Sequence, residues 1–134
     1  MNNLSSFVGR FGLSLIFILA GFGKLGAGYA ATQGYMESMG VPGGLLPLVI
    51  FAEIGGGLAI LFGLLTRTAA IGLAVFSVFS AVLFHFNLAD QGQFINFMKN
   101  IAIAGGMLML FANGAGKFSI DNWLASRRNV GGAR

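Results

Sequence analysis

Residues 45–65 read LLPLVIFAEIGGGLAILFGLL and contain a single ionisable group, Glu53. A helix needs about 20 predominantly apolar residues to cross a bilayer, so this stretch predicts a membrane span. A carboxylate is costly inside hydrocarbon and therefore usually faces a partner or a cavity. Glu53 is accordingly the first candidate site residue, and the rest of the chain is interpreted around it.

The composition indicates that lipid, rather than water, surrounds most of the chain. Of its 134 residues, 56% are hydrophobic and only 9% are charged, whereas a soluble domain has about 25% charged residues. The length suits one domain. We therefore predict a single domain over 1–134 with an all-α fold, an integral membrane four-helix bundle in contact with the lipid bilayer. The predicted spans cover about 7–24, 45–65, 69–86 and 97–112.

Two segments outside the spans predict short helices at the membrane interface. Residues 30–39 suit two or three helical turns, ended by Gly40 and Pro42. Near the carboxyl end, Ser119 is a candidate helix cap, and Trp123 is a residue type enriched at the membrane surface. Residues 117–134 are predicted to form a basic cytoplasmic tail.

The distribution of basic residues predicts the orientation. Four spans place both termini on one side, and six of the eight lysines and arginines fall there. By the positive-inside rule, both termini are predicted to be cytoplasmic. Arg10 and Lys24 flank the first span and are expected to extend to the headgroups. The net charge of +4 has no folded basic face or stacking motif with it, so we predict no nucleic-acid partner.

With this orientation, five polar residues fall in the outer half of the bundle. They are Glu53, Lys24, His85, Lys99 and Asn100. A histidine changes charge near neutral pH, and a lysine can keep a neighbouring carboxylate ionised. The competing interpretations are structural: a hydrogen bond for Glu53, headgroup contacts for the lysines, and an interfacial ring for His85. The five residues are the candidate ligand-binding or proton-handling set.

The chain lacks the residues that metal sites and nucleotide-binding sites usually need. The chain has no cysteine and one histidine, which cannot build a usual zinc site or hold an iron–sulfur cluster. No phosphate-binding loop, dinucleotide fingerprint or Ser–His–Asp order is present. We predict no metal and no cofactor held by the chain itself, and the sequence leaves open whether the protein is an enzyme.

Four local patterns together resemble one known family. They are GFGK at 21–24, GVP at 40–42, Glu53 within a glycine-rich helix, and GLLTR at 63–67. In this order and spacing, the chain resembles the DoxX family over about residues 5–125, and in particular its short bacterial inner-membrane members. The resemblance implies a multi-pass protein of the bacterial plasma (inner) membrane.

The same resemblance implies a site and a context for it. It carries over Lys24, Glu53, His85 and Asn100 as site positions, and some family members are linked to membrane oxidoreductase complexes and redox stress. Because the chain lacks cysteine, any thiol-based role proposed for relatives cannot be carried by its own residues.

Three functional hypotheses follow. The first is a redox-linked subunit of a membrane oxidoreductase system, with an outward-facing polar pocket for a small molecule such as a quinone and a partner that supplies electrons. The second is a small-solute transporter or permeability factor, and the third is a structural scaffold subunit without a site. Gly55, Ala59 and Gly63 recur every four residues, a spacing that suits either internal helix packing or a homo-oligomer interface.

Overall fold

Helices make up nearly all the regular structure of residues 3–132, the part of the chain that the computed structural model describes. A 3₁₀ turn at Gly43–Leu45 leads into the third α-helix, and no strand occurs in these residues. The predicted all-α fold is confirmed. The helices are α1 (Asn3–Gly23), α2 (Ala27–Ser38), α3 (Leu46–Phe62), α4 (Thr66–Phe84), α5 (Gln91–Asn113) and α6 (Ile120–Gly132).

Four of these helices are long and apolar enough to cross a membrane: α1, α3 with its 3₁₀ turn, α4 and α5. Their outward surfaces carry large apolar side chains, such as Phe51, which is 73% exposed, and Leu19 and Phe79. A contiguous apolar surface of this kind is unfavourable in water. It is the surface expected of a bundle that faces lipid, as predicted.

The start of α5 and the end of α3 differ from the predicted spans. Helix capping explains both differences. The fourth span was predicted from about residue 97, but α5 begins at Gln91. The Asp90 carboxylate accepts a hydrogen bond from the Gln93 amide at 3.0 Å, and this N-cap extends the helix beyond its apolar part. At the end of α3, Gly63 adopts a left-handed conformation with φ 68°, which glycine takes without strain and which ends the helix.

The bundle consists of two close helix pairs. Helix α1 packs along α3, and α4 packs along α5. A buried cluster joins the pairs, with Ile60, Ala70, Leu73 and Met107 at its centre. Because α3 also contacts α4, the two pairs form one bundle.

Glycines of α3 allow this close approach, although Gly55 does not contribute to it. A methyl group added at Gly57 would lie 2.8 Å from Ile18 of α1, and one at Gly56 would lie 3.0 Å from Leu73 of α4. At Gly55 the same addition meets only Phe51 of its own helix, and Gly63 lies beyond the end of the helix. Internal packing therefore uses Gly56 and Gly57, and also Gly63, where an added methyl group would meet Ser119 and Arg10, but not Gly55.

Arg10 does not extend to the headgroups, so that prediction is wrong. Its side chain is 1% exposed, and Nη1 donates to the carbonyls of Ile60 at 3.0 Å and Leu61 at 3.3 Å. Nη2 donates to the carbonyl of Phe118. The last carbonyls of a helix lack intrahelical donors, and a cation is favourable there. Arg10 therefore fastens the end of α3 and the segment before α6.

Helix α6 completes this end of the bundle. The Asp121 carboxylate accepts hydrogen bonds from the amides of Leu65 and Thr66, both at 2.8 Å, while the Asp121 amide donates to Gly63 at 2.8 Å. As predicted, Ser119 caps this helix, because its hydroxyl accepts from the Asn122 amide at 3.1 Å. The predicted tail is thus largely helical, and its residues 133–134 lie outside the described part. We call the region of Arg10 and Asp121 the arginine end.

The electrostatics of Asp121 favour its charged form. Burial by itself raises the pKa of this carboxyl, but hydrogen bonds from Thr66 and Leu65 and the charge of Arg10 lower it more, so the pKa lies below its ordinary value of 3.8. A carboxylate that accepts backbone N–H bonds is stabilised in this way. Asp121 is therefore ionised at neutral pH and holds the turn between α3 and α4.

Candidate functional site

At the opposite end of the bundle, Glu53 lies in the interior beside a single cation. Its side chain is 5% exposed, and Oε1 lies 2.7 Å from Nζ of Lys24. Lys24 follows directly after α1, and its Nζ also donates to the carbonyl of Ala20 at 3.2 Å. Lys24, rather than Lys99, is thus the partner of Glu53. We call the region of Lys24, Glu53 and His85 the glutamate end.

His85 follows α4 directly, with its ring half-buried. Nδ1 lies 2.7 Å from Oε1 of Gln93 on α5. In this orientation of the amide, Nδ1 carries the hydrogen and Nε2 is the acceptor nitrogen of the neutral ring. Gln93 was missed in the sequence because residues 87–96 were interpreted as a connection rather than as the start of a helix.

Two adjacent cavities meet at this end of the bundle. The larger, about 390 Å³, lies among α2, α3 and α4, and the smaller, about 170 Å³, lies among α1, α4 and α5. The same side chains contribute to both cavities, so the ion pair and the histidine stand between them. These shared residues are Lys24, Glu53, Phe76, Ser80 and His85.

The two cavities differ in character. Apart from the shared polar groups, the larger is walled mainly by apolar side chains such as Val49, Phe79 and Leu83. The smaller also receives Lys99 and Asn100 from the first turns of α5. All five predicted site residues therefore line one or both cavities. Lys99 is the most peripheral of them, since it is exposed and lines only the smaller cavity.

Helix α2 closes one side of the larger cavity. The Tyr35 hydroxyl donates to the carbonyl of Phe84 at 2.8 Å, and the two rings lie 5.8 Å apart. Met36 is 3% exposed and also lines this cavity. As residue types, a tyrosine in this position favours headgroup contact and a methionine favours lipid contact or core filling. Their place in the cavity wall depends on how α2 docks on α4, which the sequence pattern does not reveal.

This arrangement suits one kind of ligand chemically. A mostly apolar space ends at an ammonium, a carboxylate and an imidazole, so it matches a small molecule with an apolar body and an oxygen-bearing head. The imidazole and the carboxylate are groups that can accept or release protons. Among residues 3–132, no group of three or more histidine and acidic side chains comes close enough to hold a metal ion.

Comparison with known proteins identifies related sequences. The family model named DoxX matches residues 5–86. The chain is 52% identical to "Inner membrane protein YqjF" of Escherichia coli (strain K12) over 124 residues, covering 92% of this chain and 95% of that protein. It is 34% identical to "Inner membrane protein YphA" of the same organism over 121 residues, with 85% and 86% coverage. No solved structure shows a significant match.

Proposed function

The chain belongs to the DoxX family of membrane proteins, and we propose that it binds a small, quinone-type redox molecule at the glutamate end. The single observation that carries this proposal is the position of a buried ion pair at the polar end of an apolar cavity. Glu53 and Lys24 lie 2.7 Å apart and both line the space of about 390 Å³. Charged pairs that serve only to join helices need no adjoining cavity.

The cavity has suitable groups for each part of such a ligand. The ring carbonyl oxygens of a quinone accept hydrogen bonds, which the Lys24 ammonium can donate. The alkyl substituent would occupy the apolar walls around Val49, Phe79 and Leu83. A quinone takes up two electrons and two protons to become the hydroquinone. Glu53 and His85 are the proton-handling groups of the proposal, and a membrane oxidoreductase partner would supply the electrons.

The test is native mass spectrometry of the detergent-purified protein with a benzoquinone that carries a short alkyl chain. We expect a quinone adduct on the wild type and a loss of affinity of about tenfold, or about 1.4 kcal/mol, in Glu53→Gln, because a neutral amide holds the Lys24 ammonium beside the quinone carbonyl less firmly than the carboxylate does. The matched control is Glu37→Gln, an exposed carboxylate of α2 that lines neither cavity. It should bind like the wild type. Equal binding by wild type and Glu53→Gln would overturn the proposal.

A structural scaffold is the alternative that an observation favours, because the ion pair also ties α1 to α3. On this alternative, no quinone binds to the wild type, and Glu53→Gln lowers thermal stability or assembly well below the Glu37→Gln control. A transporter would instead move a solute across proteoliposomes without a redox partner. Each outcome excludes the quinone proposal.

We also propose the inner membrane as the location, with both termini in the cytoplasm and the glutamate end facing outward. Two relatives are inner membrane proteins by name, and six of the eight lysines and arginines fall on the side of the membrane that would hold both termini. Because the chain has no cysteine, Ser126→Cys on α6 and Gly92→Cys on α5 give clean single labels. In intact spheroplasts, a membrane-impermeant maleimide should label only Gly92→Cys. Labelling of only Ser126→Cys would reverse the orientation.

A further inference from the structure

A second, larger depression lies at the arginine end, far from the site described above. It is an open groove of about 990 Å³ between the α3–α4 turn, the end of α5 and helix α6. Its charged side chains are Arg67, Arg127, Arg128 and Asp121. None of these residues belongs to the candidate set, so the groove needs a separate explanation.

The groove has an excess of cations without carboxylate partners. Among the described side chains, none of the three arginines forms an ion pair. Asp121 forms no ion pair with them, and its two oxygens accept hydrogen bonds from the amides of Leu65 and Thr66. Arg127 stacks on the ring of Trp123 at 5.1 Å, which orients its guanidinium. A guanidinium binds phosphate through two parallel hydrogen bonds, so the groove is suited to a phosphate group.

The apolar part of the groove indicates a lipid rather than a soluble phosphate. Leu65, Trp123 and Leu124 line it and remain 40% to 66% exposed. Arg67 lies in the first turn of α4, a helix long enough to cross the membrane, so the groove opens at the depth of the lipid headgroups. From these observations we infer that the groove binds the phosphate of an anionic phospholipid, with the acyl chains against its apolar wall.

This inference is independent of the quinone proposal, because the groove shares no residue with either cavity at the glutamate end. If the protein is oriented as proposed, the groove faces the negatively charged cytoplasmic leaflet. The site would then fasten α6 to the membrane surface and couple the arginine end to lipid composition.

The test compares retention of phosphatidylglycerol and phosphatidylcholine by native mass spectrometry, after exchange from nanodiscs that contain equal amounts of both lipids. Wild-type protein should retain phosphatidylglycerol preferentially. Arg67→Gln and Arg128→Gln should each lower that preference about fivefold, since a basic residue near the surface contributes about that factor. The matched control is Lys117→Gln, a basic and exposed residue at the same end that does not line the groove.

Each other result overturns the inference. An equal loss in Lys117→Gln would indicate diffuse charge attraction rather than a site, and displacement by equimolar glycerol phosphate would indicate recognition of phosphate alone. If the arginine variants do not fold, the wild type still tests whether the contacts are charged, and the Lys117→Gln and glycerol phosphate results still test whether they form a lipid site. The preference of the wild type for phosphatidylglycerol should weaken between about 50 and about 500 mM salt because the contacts are charge-assisted. A preference that is unchanged by salt would contradict the inference.

Discussion

The two ends of the bundle each bury a charged residue, but the surroundings of Arg10 and Glu53 differ. Arg10 donates to three backbone carbonyls, two at the end of α3 and one in the segment before α6, and it lines none of the cavities described above. Glu53 has one cation beside it and lines two cavities. Burial of a charge therefore does not identify a functional site. The number of its partners and the space next to it are more informative.

Loss of the two charges should have different consequences, one for stability and the other for ligand binding. At the arginine end, removal of the charge should affect stability, because the carbonyls of Leu61 and Phe118 would lose the guanidinium donor and that of Ile60 would keep only the amide of Gly63. At the glutamate end, neutralisation should mainly affect ligand binding, because a glutamine can still accept a hydrogen bond from Lys24.

Arg10→Met should lower the free energy of unfolding by about 3 kcal/mol or more, since it leaves three carbonyls without a charge-assisted donor. Glu53→Gln should lower it less, because Lys24 is partly exposed and can still donate to the carbonyl of Ala20 and to the glutamine oxygen. The measurement is reversible unfolding in detergent, followed by circular dichroism. Lys117→Met is the control for loss of a basic residue at the same end of the molecule, and it should be nearly neutral. If Glu53→Gln were as damaging as Arg10→Met, both charges would be structural.

Gly57→Ala disturbs the packing of α1 on α3 without removing a charge. It therefore shows how much of the effect of Arg10→Met could come from loosened packing between these two helices. The added methyl group would lie 2.8 Å from Ile18, and overpacking of this kind costs about 1–3 kcal/mol. Gly55→Ala is the matched control, since its methyl group meets only its own helix and alanine favours helix by about 1 kcal/mol. The two variants are compared by thermal unfolding. Similar melting temperatures would show that Gly57 is not the point of close approach.

Acidification should destabilise the arginine end before the rest of the fold. The pKa of Asp121 is lower in the folded protein than its ordinary value of 3.8. Its contribution to the free energy of unfolding is therefore complete above the ordinary pKa. That contribution is lost as the pH falls through the lower pKa of the folded protein. Asp121→Asn should abolish this part of the acid destabilisation, as measured by unfolding at several pH values below about 4. An identical acid response in the variant would mean that Asp121 does not hold the α3–α4 turn.

The sequence predicts much of the fold because lipid imposes a strong pattern. The four long apolar runs and the short helices α2 and α6 are visible in composition and turn residues, and Ser119 is recognisable as a cap. The predicted start of α5 is too late, because capping by Asp90 outweighs the polarity of the residues that follow it. Apolar length alone does not reveal how far a helix continues beyond the hydrocarbon.

Other features depend on contacts between distant parts of the sequence. The partners of Arg10 are 50, 51 and 108 positions away, so nothing near Arg10 distinguishes a structural arginine from one that extends to the headgroups. Gln93 and Tyr35 reach the glutamate end through the docking of their helices. In contrast, the proximity of Lys24, Glu53 and His85 follows from topology, because alternate span ends meet at one side of the membrane.

The most direct test of the contrast between the two ends is photolabelling with an azidoquinone, followed by peptide mapping with mass spectrometry. The proposal predicts labels on cavity residues of α2, α3 and α4, such as Met36, Val49 and Phe79, and loss of those labels in Glu53→Gln. Glu37→Gln should retain them. Labels confined to the groove around Trp123 and Arg127, or spread over lipid-facing residues and unchanged in Glu53→Gln, would contradict the assignment of the ligand site to the glutamate end.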